Sequence, residues 1–156
     1  MITLYILSLC IFIGYITITI IRYGILDSVS NSYYWFPYNQ KLLFTLFCWG
    51  ISIPVMILAE SPIMFFAGSG ITFAGAAAAY QERITHTVHM IGAFSGVILS
   101  QISIVIDFHL YILNFIFISI SLILILLTKL RIKVHYFWWI EILAYICIMI
   151  SLLSKL

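Results

Sequence analysis

The chain has 156 residues, 65% of them hydrophobic and only 8% charged, with a mean hydropathy of +1.22. A soluble domain is about 45–50% apolar and needs polar residues over most of its exterior, which seven Lys and Arg with five Asp and Glu cannot supply. The net charge of +2 is dispersed over short connections, without the basic stripe that nucleic-acid binding requires. The composition therefore predicts an all-α fold, a polytopic integral membrane bundle whose solvent is lipid.

A hydrocarbon core about 30 Å thick calls for about 20 apolar residues per helix. Six transmembrane helices satisfy that ruler, over residues 2–21, 41–59, 63–80, 84–106, 110–128 and 136–154, and together they form a single transmembrane domain. The first begins without a basic leader and reaches Arg22 without a small-residue cleavage site, so it is expected to be retained as a helix. A polar and aromatic connection, 22–40, follows it. The second carries Pro54, expected to kink it, and Glu60-Ser61-Pro62 forms a short turn with the proline suited to the next helix's first turn. The third is built of small residues, among them Gly68, Gly70, Gly75 and the run Ala76 to Ala79. Gly92 and Gly96 in the fourth make a G-x-x-x-G. Small residues let backbones approach closely, so the third and fourth helices are expected to pack most tightly. Asp107-Phe108-His109 makes the next turn, and the basic stretch Lys129 to His135 leads into the sixth helix. Cys10, Cys48 and Cys147 each fall inside an apolar run and read as packing residues.

With six spans, Arg22, Lys41, Arg83, Lys129, Arg131 and Lys133 share one face while Lys155 lies on the other. Cytoplasmic connections carry the excess of Lys and Arg. Both termini are therefore expected outside the cytoplasm, with the protein integral to the plasma (inner) membrane.

Ionisable residues inside a membrane are costly and call for an explanation. Glu82, His86 and His89 fall on one helical face that continues through Ala93, Gly96, Ser100 and Ser103. The two histidines, one turn apart, either flank the helix and hydrogen-bond to a neighbour or share a metal ion such as zinc with a carboxylate. Glu141 lies roughly 9 Å of helical rise beyond His135 and should face protein. It would either join His86 and His89 around a metal, or be protonated or pair with a basic residue such as Arg83 or Arg22. In the first connection, Asp27, Ser28, Ser30, Ser32, Tyr33 and Tyr34 combine hydroxyls with aromatic rings. This segment reads either as interfacial or as the cover of a polar pocket for a lipid headgroup. Asp107 and His109 read as turn residues at the opposite end.

The segment Ser28 to Tyr34, the run Phe73-Ala74-Gly75-Ala76-Ala77 and the sequence His86-Thr87-Val88-His89 resemble a group of small uncharacterised multi-pass bacterial membrane proteins. More distantly, serines, an Asp and histidines at one membrane face are similar to the ceramidase and adiponectin-receptor type of metal-dependent membrane hydrolase. That resemblance implies seven helices and a late H-x-x-x-H, whereas this chain has six and a single His135 before its last helix. Three functions are thus open: binding of a lipid headgroup in a cytoplasm-facing pocket, metal-dependent hydrolysis of a lipid amide or ester, or a small transporter or channel subunit. Membrane lipids, a second copy of the chain or another membrane protein are the expected partners.

Overall fold

The computed structural model describes residues 1–156 and contains helices and no strand. The long helices are α1 (Ile2–Tyr23), α3 (Leu42–Leu58), α4 (Pro62–Ala76), α5 (Arg83–Ile106), α6 (Tyr111–Lys129) and α7 (Tyr136–Leu153). A one-turn helix, α2 (Ser32–Trp35), and a 3₁₀ turn at Tyr38–Gln40 lie in the connection after α1.

Five helices are long and apolar enough to cross a membrane. The exception is α4, expected over 63–80 but ending at Ala76 after 15 residues, about 22 Å at 1.5 Å per residue. Alanine is the best helix former, so local propensity does not stop it. Neighbouring helices capture its last carbonyls instead: Thr45 of α3 donates to the carbonyl of Gly75 at 2.9 Å and a nitrogen of His89 in α5 lies 2.9 Å from that of Ala74. Beyond them, the Thr85 hydroxyl donates to the carbonyl of Ala79. These bonds satisfy acceptors that every helix end leaves open, and tertiary partners thereby set the boundary. At the other end, Ser61 caps α4 by accepting from the Met64 amide, with Pro62 in the first turn as expected.

The most extensive helix pair is α4 with α5. A Cβ placed on Gly70 would lie 2.7 Å from the Gly92 carbonyl, and one on Gly92 would lie 2.7 Å from the Gly70 carbonyl. The two glycines face each other at backbone contact. Where lipid tails are as apolar as Leu, such approach and polar contacts hold helices together. Ser8 of α1 donates to the Ile51 carbonyl of α3 at 3.0 Å and lies 2.6 Å from the Tyr145 hydroxyl of α7. Tyr15 stacks on Phe47 with ring centroids 4.0 Å apart, and Phe12 on Tyr145 at 4.2 Å. Helix α6 is the outermost, with Phe117 its one buried residue.

The connections fall into two groups. Tyr34 accepts from the Gln81 amide at 2.6 Å, Tyr80 donates to Asn31 at 3.3 Å and His135 meets Asp27 at 3.1 Å. The links after α1, α4 and α6 therefore meet at one end of the bundle. Ser61 donates to Asp107 at 2.6 Å, and Lys155 lies over the ring of Phe108. The α3–α4 turn, the α5–α6 turn and the C-terminus thus meet at the other end.

Candidate functional site

The connection after α1 closes the end of the bundle as a plug. Gly24, at φ 77°, ends α1 in a conformation that L-residues with a side chain rarely adopt, and the chain turns inward to bury Leu26, Val29 and Phe36. Ser32 is fully buried, donates to the Val29 carbonyl at 2.5 Å and lies 2.6 Å from the Tyr15 hydroxyl. The amide of Asn31 bonds to the Ser28 hydroxyl at 3.0 Å. These local bonds hold the backbone of Val29 and Ser30 against α5 and α7. Burial raises the phenols of Tyr34 and Tyr80 above the usual tyrosine range, so both keep their protons at neutral pH.

Three polar side chains from three parts of the sequence converge under this plug. The Val29 amide donates to Glu141 Oε2 at 2.5 Å, and the Ser30 hydroxyl lies 3.4 Å from Glu141 Oε1 and 3.2 Å from His89 Nε2. His89 is 2% exposed and stacks on Tyr80 with centroids 4.8 Å apart. Its Nδ1 is 2.9 Å from the Ala74 carbonyl. A carbonyl can only accept, so Nδ1 carries the proton and, in the neutral ring, Nε2 is an acceptor. Ser30 has one proton and stands between two acceptors, His89 Nε2 and Glu141 Oε1.

Behind Ser30 and Glu141 lies a cavity of about 90 Å³. Its walls are chiefly apolar, with Phe12, Phe44, Phe47, Ile71, Val97 and Ile148 among them, and Ala93 and Ala144 leave space where larger side chains would fill it. The Tyr145 ring also lines it, its hydroxyl engaged by Ser8. A single water needs about 10–15 Å³ by this kind of measure, so the space holds a small group of atoms or a short apolar segment.

Of the six residues expected to form a polar pocket in the first connection, Ser30 alone lines the cavity. Ser28 and Ser32 make the local bonds described above, Tyr33 lies under the ammonium of Lys41, and Tyr34 packs edge-on against Tyr80. Asp27 points outward, its side chain 83% exposed, and meets His135.

The expected metal set of Glu82, His86, His89 and Glu141 is not assembled, and no three His, Cys, Asp or Glu side chains are grouped to hold an ion. Helix α5 begins beyond the last turn of α4, which leaves Glu82 and His86 exposed. His86 Nδ1 turns back to the Tyr80 carbonyl at 2.9 Å. Both nitrogens of His89 are engaged by Ala74 and Ser30. The residues present do not fit zinc. Glu141 has neither Arg83 nor Arg22 as partner, because the amide of Val29 reaches it first and Arg22 bonds to Gln40 at 3.0 Å. The inward stripe on α5 begins at His89 and runs through Gly96, Ser100 and Ser103, which are buried.

Sequence reasoning missed the backbone of Val29 and the carbonyl of Ala74, groups that every residue carries and no residue type announces. At the far end of the bundle, Asp107 accepts from Ser61 at 2.6 Å and from Ser103 at 2.5 Å, which joins the α3–α4 turn to the end of α5. No protein-family model, curated protein or solved structure matches this chain.

Proposed function

We propose that the chain is a six-helix protein of the plasma (inner) membrane that binds an amphiphile at the cytoplasmic leaflet. The ligand's polar end meets Ser30 and Glu141 and its apolar part enters the cavity behind them. The observation that carries this reading is the pairing of an apolar-walled cavity with polar groups gathered at one place on its wall. Binding sites for small molecules have this composition, with a few polar groups fixing orientation in an otherwise hydrophobic space. Two engaged histidine nitrogens and no metal-ligating group favour recognition over hydrolysis. The polar clusters around Glu141 and Asp107 stand at different ends with the apolar cavity adjoining the first, which favours a binding pocket over a polar pathway.

Six crossings are supported by the contacts at the two ends of α4, one with the α5–α6 turn through Ser61 and one with the plug through Gln81. The basic residues Arg22, Lys41, Arg83, Lys129, Arg131 and Lys133 flank the connections that gather at the plugged end. By the excess of Lys and Arg in cytoplasmic connections, that end is cytoplasmic and both termini are extracytoplasmic.

The test is photolabelling of the purified protein in lipid nanodiscs with an alkyl alcohol carrying a diazirine on its chain, followed by peptide mapping. Labels are expected on cavity residues of α3, α5 and α7, and either Ala93→Leu or Ala144→Leu should lower that labelling at least tenfold while labels on the lipid-facing side of α6 persist. Labelling confined to α6, or unchanged by both variants, would refute the reading.

A further inference from the structure

The polar end of the cavity offers more acceptors than side-chain donors. His89 Nδ1 donates to Ala74, so neutral Nε2 accepts, and Glu141 offers two oxygens. Facing these are the Val29 amide, aimed at Oε2, the Ser30 amide and the single hydroxyl proton of Ser30. When the Ser30 hydroxyl donates to His89 at 3.2 Å, Glu141 Oε1 has no hydroxyl donor, and the alternative contact, at 3.4 Å, is longer than the 2.5–3.0 Å of a good O–H···O bond. Glu141 also has no cationic side chain beside it, since the one ion pair in the protein is His135 with Asp27. A half-buried carboxylate without a compensating charge is costly. The aromatic rings that line the cavity, Phe12, Phe44, Phe47 and Tyr145, present surroundings that attract cations.

Resting on the reading of the cavity as an amphiphile site, we infer that its ligand is an amine: a primary or secondary ammonium on an apolar body, donating to Glu141 Oε1 and pairing with its charge. An ammonium supplies a further donor and the countercharge together. An alcohol supplies the donor alone. A carboxylate supplies neither and would be repelled by Glu141.

The experiment is competition against the diazirine alcohol in nanodiscs, using decylamine, decanol and decanoate, on the wild type and on Glu141→Gln. The amine is expected to compete at least tenfold more strongly than the alcohol, the carboxylate least, and Glu141→Gln should bring the amine to the level of the alcohol. If the alcohol competes and the amine is no better on the wild type, the amine assignment is overturned while the cavity reading stands. An amine preference that survives in folded Glu141→Gln overturns the role of Glu141. Failure of all three to compete, on a protein whose cavity is not labelled, takes down both. The wild-type comparison decides the ligand class even where the variant does not fold.

Discussion

Replacing Gly92 by Ala tests the closest seam in the protein. The added Cβ would lie 2.7 Å from the Gly70 carbonyl oxygen and 2.8 Å from the Ala74 amide nitrogen. Real Cβ contacts essentially never fall below 3.0 Å, so α4 and α5 must separate by at least about 0.3 Å. Both neighbours are backbone, and no side chain can swing aside to absorb the change. Overpacking of this kind costs about 1–3 kcal/mol. The same separation strains the bond between His89 and Ala74 one turn away, worth about 1 kcal/mol, while the gain in helix propensity returns about 0.5–1 kcal/mol. The expected net loss is about 1–3 kcal/mol. Gly14→Ala is the matched control, since a Cβ there meets nothing within 4 Å, and it should be neutral or stabilising by up to about 1 kcal/mol. Reversible unfolding in mixed micelles at increasing denaturing-detergent fraction reads both. A Gly92→Ala protein as stable as Gly14→Ala would refute the argument from backbone contact.

Other residues are open to equally direct tests. Ser32→Ala removes a buried hydroxyl that serves both Tyr15 and Val29; leaving the Tyr15 hydroxyl unpartnered should cost about 1–3 kcal/mol, read by the same unfolding assay. Gly24→Ala places a methyl in open space but at φ 77° and ψ −166°, a region essentially confined to glycine, and should destabilise by about 1–3 kcal/mol through the backbone alone, with Gly24→Asn no better tolerated. Asp107→Ala strips the acceptor shared by Ser61 and Ser103 and should lower stability more than Asp107→Asn, which keeps one oxygen. Single cysteines introduced at Tyr38 and at Leu156 in a cysteine-free background should react with membrane-impermeant maleimide from opposite sides of sealed vesicles, Leu156 from the extracytoplasmic side.

The helix positions were legible because apolar run length is a strong signal in lipid, and the pairing of α4 with α5 because glycines at fixed spacing announce close approach. The end of α4 was not, since Ala77 to Ala79 favour helix and what ends it is capture of its carbonyls by Thr45 and His89. The plug hid for another reason. Leu26, Val29 and Phe36 are buried without helical periodicity, so an irregular inward loop reads as an ordinary connection. The anomaly of Glu141 was visible, and so was the inward face of His89. That they meet through Ser30 instead of a metal follows from where the plug puts one backbone amide and one hydroxyl.

The shortness of α4 bears on the bilayer itself. Its span of about 22 Å is flanked by α3 and α5, yet Phe65, Phe66 and Phe73 still face outward. In the proposed six-crossing arrangement, acyl chains beside those rings meet a hydrophobic strip shorter than the roughly 30 Å core, and must compress or tilt at a cost of fractions of a kcal/mol per ångström of mismatch. In that arrangement the protein is lopsided toward its solvent, full height along α6 and low along α4. Lipids with shorter tails should collect on the low side.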